Sequence, residues 1–397
     1  MHKEQIKKII IEFEHFFSQD LSTHINEGNV GLLSGRCSLL FSNAILCLNN
    51  ETLDRSIYID EHIEYIIETL DENSNLFVSL SNGIAGVGFC LHYIQENNLS
   101  EYDLEDTLEE IDEILEDTMY ETGQNENNFD PLHGSIGIAL YLIKRKKYFS
   151  SIAILVQKIY DKIIKDEHEF KWQTYDQFRT KKMVYDFGLA HGNASLLFFL
   201  SKCYNHNINS DLSKDMMYNI ISFYNRNEQK IEETGSIYPS SISVESYSSN
   251  KQSFSRLAWC YGDLGALHAL FFAATSLEDK LLIKHFKDLI IQTTSRKEPA
   301  ETIIKDACFC HGSAGLAHIY SKLSKKIDDY RVKEAATYWL KETLGYKKSD
   351  DVFFSLRDDV ENINYMSLLD GVTGVSSVLC SIDNIKIKEW DSFLLLS

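Results

Sequence analysis

Hydrophobic residues along this chain fall into two alternating patterns. In the first, apolar side chains recur every three or four positions among charged neighbours, as at Ile59, Ile63, Ile66, Ile67 and Leu70, and again at Leu104, Leu108, Ile111, Leu115 and Met119. This period places them on one stripe of an α-helix that lies between core and water. Comparable helices are predicted at Glu4–Phe17, Ser150–Lys165, Lys214–Asn225, Glu278–Thr294 and Tyr330–Leu344. In the second pattern, a short glycine-centred phrase opens a run that is apolar on nearly every side, which predicts a helix covered all round.

The phrase returns seven times, at Gly35, Gly83, Gly134, Gly192, Gly262, Gly312 and Gly371, with spacings of 48, 51, 58, 70, 50 and 59 residues. A second glycine follows three residues later at Gly86, Gly137, Gly265, Gly315 and Gly374, while Ser38 and Ser195 take that place in the first and fourth copies. Self-similarity at such intervals marks a fold built from copies of one supersecondary unit. The order amphipathic helix, glycine loop, apolar helix predicts a single all-α domain over residues 1–397. The expected fold is an (α/α)7 toroid, with seven apolar helices inside and seven amphipathic ones outside. An open solenoid would need polar end repeats, yet the last phrase, Leu368–Leu379, is as apolar as the middle ones. The paired glycines let backbones approach where the inner helices converge. The loops then gather at one end of the ring, and residues beside the glycines line a shared cavity.

Composition supports an α-rich, water-soluble chain. Only three prolines, Pro131, Pro239 and Pro299, interrupt 397 residues, so few positions break helices. The balance of 39 basic to 59 acidic residues, net −20, argues against a nucleic-acid partner and suits a neutral or cationic one. The N-terminal stretch Ile9–Phe13 is broken by Glu12, unlike a signal peptide, and no run approaches the ~20 apolar residues of a membrane span. Eight cysteines in a chain of this length read as buried thiols plus a metal site in a reducing compartment, not as a disulfide framework.

Three phrases carry residues that packing does not require, the fourth with His191 and the fifth and sixth with thiols. Cys260 and Tyr261 precede Gly262, and Cys310 and His311 precede Gly312. Two thiols and an imidazole at equivalent ends of adjacent inner helices can converge on one ion. Zinc suits that donor set and leaves its fourth position open, as catalytic sites do; calcium and magnesium prefer oxygen. The bland alternative is two structural cysteines and a core histidine. Cys308, two residues before Cys310, has a different offset from the glycine and reads as core, as do Cys37, Cys47, Cys90, Cys203 and Cys380. His191 and His133, each directly before a glycine, are rival candidates for proton transfer. Asp130 could orient an imidazole or end the preceding stretch, and Arg256 could stabilise an anion or pair with a surface carboxylate. The serine-rich stretch from Ile231 to Phe254 reads as a loop over the cavity or a solvated insertion.

The segments Arg256–Gly265 (RLAWCYGDLG), Cys310–Gly315 (CHGSAG) and Asp186–Gly192 (DFGLAHG) resemble the lanthionine synthetase C-like family. The likeness spans essentially the whole chain and points to the family's stand-alone class I lanthipeptide cyclases, which are (α/α)7 toroids. The resemblance implies that Cys260, Cys310 and His311 bind Zn2+, that His191 is the acid/base with Asp130 as its acidic companion, and that Arg256 and Tyr261 support the site. It further implies addition of cysteine thiols to dehydroalanine or dehydrobutyrine in a dehydrated precursor peptide, forming thioether rings. Candidate partners are a dehydratase and an exporter, with the protein cytoplasmic and peripheral at the inner face of the membrane. Addition of glutathione to dehydrated peptides, or a non-catalytic zinc-stabilised peptide-binding scaffold, are the alternatives. Two places depart from the family pattern: Asn193-Ala194-Ser195 lacks the second glycine, and Phe129-Asp130-Pro131 is a loose match.

Overall fold

The computed structural model describes residues 2–19, 21, 25, 28–53, 56–72, 77–125, 128–176, 180–249, 253–347 and 366–397. Each glycine phrase opens an inner helix: α2 (Arg36–Asn49), α4 (Ile84–Glu96), α6 (Ser135–Arg145), α8 (Asn193–Asn205), α11 (Asp263–Ser276), α14 (Ser313–Ser324) and α16 (Val372–Asp383). The amphipathic segments form α1 (His2–Phe16), α3 (Ser56–Glu72), α5 (Glu105–Asn125), α7 (Phe149–Lys162), α9 (Ser210–Arg226), α12 (Lys280–Thr293) and α15 (Tyr330–Gly345). Inner helices touch in sequence order, and α16 packs against α2. The expected toroid is closed.

The apolar stripes read from the sequence face inward. Ile59, Ile63 and Ile66 of α3 and Leu104, Leu108, Ile111 and Leu115 beside or on α5 are all buried. Burying one such aliphatic side chain contributes about 1.5–3 kcal/mol, enough for these stripes to hold an outer helix that has little intrinsic stability alone.

Three features go beyond the sequence reading or differ from it. The sequence reading did not pair the helices: α3 packs on α2, α9 on α8, α12 on α11 and α15 on α14, α5 lies against both α4 and α6, and α1 completes the ring against α16. The reason for these pairings is connection length. Residues 146–148 alone join α6 to α7, and 277–279 join α11 to α12, and such short links force antiparallel neighbours. Helix α7 stops at Lys162, before the expected Lys165. Beyond it lie two small antiparallel sheets, β1 (Ile164–Lys165) with β2 (Phe170–Lys171), and β3 (Thr174–Asp176), β4 (Lys182–Asp186) and β5 (Ser241–Ser243) in that order. The stretch 231–254 therefore holds the short α10 (Ile231–Thr234) and β5, apart from 250–252, which lie outside the described residues. Its Ile237 and Tyr238 amides donate to the buried Asp263 carboxylate at 2.8 and 2.9 Å. Finally, the C-terminal segment fills the middle of the ring. Phe393 meets Phe41 edge-on at 5.4 Å, Trp390 lies 4.9 Å from the His318 ring, and Asp391 accepts from His318 Nε2 at 2.6 Å.

The second glycine allows the expected close approach between repeats, since a Cβ on Gly86 or Gly137 would stand 2.8 or 2.9 Å from the Cβ of Leu32 or Leu80, and it also serves a contact within its own loop. A Cβ on Gly265 would stand 2.0 Å from the Trp259 carbonyl oxygen, and one on Gly315 would stand 1.9 Å from that of Phe309. The loop folds back so tightly over the first helical turn that only hydrogen fits there. Ser195, lacking this glycine, does not disturb its loop: Gly192 caps α8 in the same extended conformation as the other phrases, and Ser195 Oγ donates to Gly192 O at 2.7 Å.

Gly315→Ala is expected to cost about 1–3 kcal/mol through overpacking. Gly345→Ala, with no heavy atom within 4 Å of the added carbon, should be neutral or gain about 0.4–1 kcal/mol. Urea denaturation of both variants checks the contrast.

Candidate metal centre and active site

Counting back from the first glycine of each phrase orders the loops into three seven-membered layers. Three residues before it stand Leu32, Leu80, Pro131, Leu189, Trp259, Phe309 and Leu368, all buried. Two residues before it stand Leu33, Ser81, Leu132, Ala190, Cys260, Cys310 and Leu369. Directly before it come Ser34, Asn82, His133, His191, Tyr261, His311 and Asp370, every one polar or amphipathic and at least partly exposed. Reactive groups therefore occupy the outermost layers at the loop end, above an apolar base.

Backbone hydrogen bonds tie neighbouring loops together. Leu33 N donates to Ser81 O, Ser81 N to Leu132 O, Leu189 N to Cys260 O, Cys260 N to Cys310 O, Cys310 N to Leu369 O and Leu368 N to Leu33 O, at 2.8–3.4 Å. Between the third and fourth loops a side chain makes the link instead. Asp130 accepts the Leu132 and His133 amides on Oδ1, each at 2.8 Å, and meets His191 Nδ1 through Oδ2 at 2.6 Å. Thus Asp130 both turns its own loop and orients the neighbouring imidazole, two roles that the sequence left as alternatives.

That contact separates the two candidate histidines. Burial lowers the His191 pKa, but the Asp130 hydrogen bond and charge outweigh it, leaving a net rise. Asp130 responds oppositely: burial raises its pKa, and His191 brings it below the usual carboxylate value. His133 stacks on His191 with centroids 5.7 Å apart and planes 12° from parallel, and its Nδ1 lies 3.0 Å from Ser81 Oγ. Burial lowers the His133 pKa beyond what Asp130 restores. Within the stacked pair the two imidazoles are therefore shifted apart, the His191 pKa upward and the His133 pKa downward. Tyr261 closes the other side, its ring 5.7 Å from that of His191.

In the next two repeats, ligand atoms of Cys260, Cys310 and His311 lie within 4.8 Å of one another. The Cys260 amide donates to the Cys310 carbonyl at 3.4 Å, which ties the two loops together. The Cys260 thiol is held well below its ordinary pKa by the Cys310 hydrogen bond first, against burial, with His311 and Arg256 adding to the effect. His311 Nε2 is buried without a hydrogen-bond partner, and Nδ1 stands 3.7 Å from Asp370 Oδ1. A thiolate-favouring sulfur, a second sulfur and an orphaned imidazole nitrogen form a donor set suited to a borderline-soft metal such as zinc. The charge of Arg256 acts on Cys260 and favours its thiolate.

Two features lay beyond the sequence reading. Cys308, set aside for its offset, shares a second donor cluster with Asp306 and His311; burial pushes its thiol up, the reverse of Cys260. Asp370 sits beside His311 from the seventh loop, and its position directly before Gly371 was the available signal. A cavity of about 690 Å³ adjoins His191 and Asp130, walled by Phe129, Ile136, Trp172 and Leu196. Trp172 is fixed there by Asn193, whose side chain accepts its amide at 2.6 Å and donates to its carbonyl at 3.0 Å.

The ring of paired helices carries sulfur and imidazole donors beside a histidine–carboxylate pair at one end, the arrangement of an all-α toroid with a candidate metal centre. The chain belongs to the lanthionine synthetase C-like protein family, whose sequence model matches residues 20–395. It is similar to the nisin biosynthesis protein NisC of Lactococcus lactis subsp. lactis, 22% identical over 353 residues covering 83% of this chain and 82% of that protein. The solved structure of nisin cyclase shares the fold, with a TM-score of 0.75 at 19% identity, covering 99% of this chain and 97% of that one.

Asp130→Asn is expected to lower the His191 pKa, because the charge that raises it is removed. A process needing protonated His191 fails as pH rises through that pKa, so its alkaline limb should move to lower pH in the variant. NMR titration of the imidazole checks the direction.

Proposed function

We propose that this protein is a zinc-dependent lanthionine synthetase. It would close thioether rings by adding cysteine thiols to dehydroalanine or dehydrobutyrine in a dehydrated lantibiotic precursor. The observation that carries this reading is the cluster of two sulfurs and one imidazole nitrogen, one loop away from an oriented histidine, in a chain of this family. Cys260, Cys310 and His311 would hold the ion, leaving one coordination position open. Zinc bound there supplies the Lewis acidity that turns a substrate thiol, ordinarily of pKa about 8.5, into a thiolate at neutral pH.

The remaining chemistry belongs to the chain. As sulfur bonds to the β-carbon, the carbon–carbon π pair moves toward the adjoining carbonyl and forms an enolate. Arg256 and Tyr261 would stabilise its oxygen, since preorganised charge and donors act most where charge develops. His191, whose protonated form Asp130 stabilises, would deliver a proton to the α-carbon, and the proton lost from the thiol returns to the imidazole through solvent. No atom leaves the peptide, so no further co-reactant is required.

The closed base layer beneath the cluster favours an open upper position over a structural site with four protein ligands. Cys308 is an additional sulfur donor close to His311, but its offset from the glycine places it outside the layer that carries Cys260 and Cys310. Eight free cysteines suit a reducing cytoplasm, and no described helix is long and apolar enough to cross a membrane. A dehydratase that makes the substrate and an exporter that removes the product would be its functional partners, at the inner membrane face. The acidic chain, net −20, suits a neutral or cationic peptide.

Incubation of the purified protein with a dehydrated precursor, followed by mass-spectrometric counting of free thiols, tests the activity. Thiols should disappear, and a chelator should prevent this. Cys260→Ala and Cys310→Ala should each lose both zinc and ring formation, whereas Cys308→Ser should keep zinc at one per chain. His191→Ala should keep zinc and slow closure on the order of 10²–10⁴-fold. A fully active His191→Ala would remove this residue from the mechanism, and chelator-resistant cyclisation would remove the metal.

A further inference from the structure

The base layer of the loops is not uniform. In five repeats the residue three before the glycine is Leu32, Leu80, Pro131, Leu189 or Leu368, but in the two repeats that carry the thiols it is Trp259 and Phe309. Each aromatic residue directly precedes a cysteine. Both are buried, and their rings meet with centroids 6.0 Å apart at 60°.

These two side chains rest on the C-terminal segment. Trp259 Nε1 donates to the Leu394 carbonyl at 2.8 Å, and Phe309 lies 5.9 Å from Trp390 in an edge-on contact at 74°. The segment beneath them is itself anchored. Asp391 takes hydrogen bonds from His318 at 2.6 Å and Lys322 at 2.7 Å, while Phe393 packs on Phe41 and Phe89 across the ring. From the other side, Gly265 and Gly315 hold the Trp259 and Phe309 carbonyls against the first turns of α11 and α14. The peptide unit before each cysteine is therefore gripped between its own helix and the plug.

We propose that Trp259 and Phe309, seated on Trp390 and Leu394, are positioning residues that set the spacing of the Cys260 and Cys310 sulfurs for the metal. This rests on the zinc reading above. A leucine would fill the layer, as it does in four other repeats, but it offers no N–H for Leu394 and no face for Trp390. The physical requirement explains the departure: two sulfurs on separate loops must be kept at ligand spacing without a direct covalent tie. A rigid shared floor removes the loop freedom that metal binding would otherwise have to quench.

The test replaces zinc by Co2+ in the full-length protein, reading the visible d–d absorption and the affinity in competition with a chelator. Trp259→Phe removes only the N–H and one ring and should weaken affinity about tenfold; Phe309→Leu should approach a hundredfold, with a shifted d–d spectrum, the range that outer-shell changes around metals produce. Trp339→Phe, at a buried position on outer helix α15, should lower thermal stability and leave affinity and spectrum unchanged. The proposal is overturned if Trp259→Phe and Phe309→Leu bind Co2+ within twofold of the parent with the same spectrum. It is equally overturned if Trp339→Phe weakens binding as much, since the effect would then be general loosening. A parent protein that binds no Co2+ or zinc would instead defeat the metal reading itself, and this inference with it. Should Phe309→Leu fail to fold, the milder Trp259→Phe decides.

Discussion

The structure depends on hydrogen bonds that pass from loop to loop around one end of the toroid. Helices packed in a ring are free to slide or tilt, because apolar contact is not directional. Backbone N–H···O=C bonds are directional, and the links from Leu33 to Ser81, Ser81 to Leu132, Cys260 to Cys310 and Cys310 to Leu369 set the height of each loop. The bond from Leu368 back to Leu33 joins the last repeat to the first. Residues at the same offset from their glycines consequently stand at the same level, and chemistry scattered over nearly 200 residues of sequence becomes one site.

The place where this backbone series changes character is also where the Asp130–His191 pair lies. Between the third and fourth loops the amides of Leu132 and His133 turn to the Asp130 carboxylate, and that carboxylate reaches His191. A carboxylate accepting two amides and facing an imidazole has little rotational freedom, and its charge is what raises the His191 pKa against burial. On its other flank, the His191 loop is bound to the Cys260 carbonyl through the Leu189 amide at 2.8 Å. One short stretch of loop thus carries both the geometry of the histidine and its coupling to the sulfur donors.

Much of this was legible in the sequence, for a specific reason. The glycines mark register, and register converts Cys260, Cys310 and His311 from isolated residues into neighbours. Period alone says which face of a helix is buried, not which helix covers it, so the pairing of outer with inner helices stayed hidden. Strands as short as β1 and β2 carry no alternation to read. His133 and His191 share an offset; the family resemblance favoured His191, and the position of Asp130 Oδ2 supplies the physical distinction. Cys308 shows the limit of the register argument, because a loop that folds back brings a residue of the wrong offset within reach of His311. Its burial without stabilisation of the thiolate is a property of surroundings that spacing does not encode.

The C-terminal segment shows how the ring avoids an empty middle. Seven helices around an axis leave more space than their own side chains fill, and an unfilled apolar void forfeits packing on every wall. Trp390, Phe393, Leu394, Leu395 and Leu396 occupy that space and are all buried. Had separate side chains from each inner helix filled it, the two halves of the ring would share no common body. A single continuous segment touches α2 and α4 through Phe393 and the sulfur-bearing loops through Trp390 and Leu394. The buried Asp391, held below the usual carboxylate range by Lys322 and His318 against its burial, fixes that segment in register along the axis. The apolar base beneath the reactive layers is therefore rigid because one piece of chain braces it from below while the loop hydrogen bonds close it above.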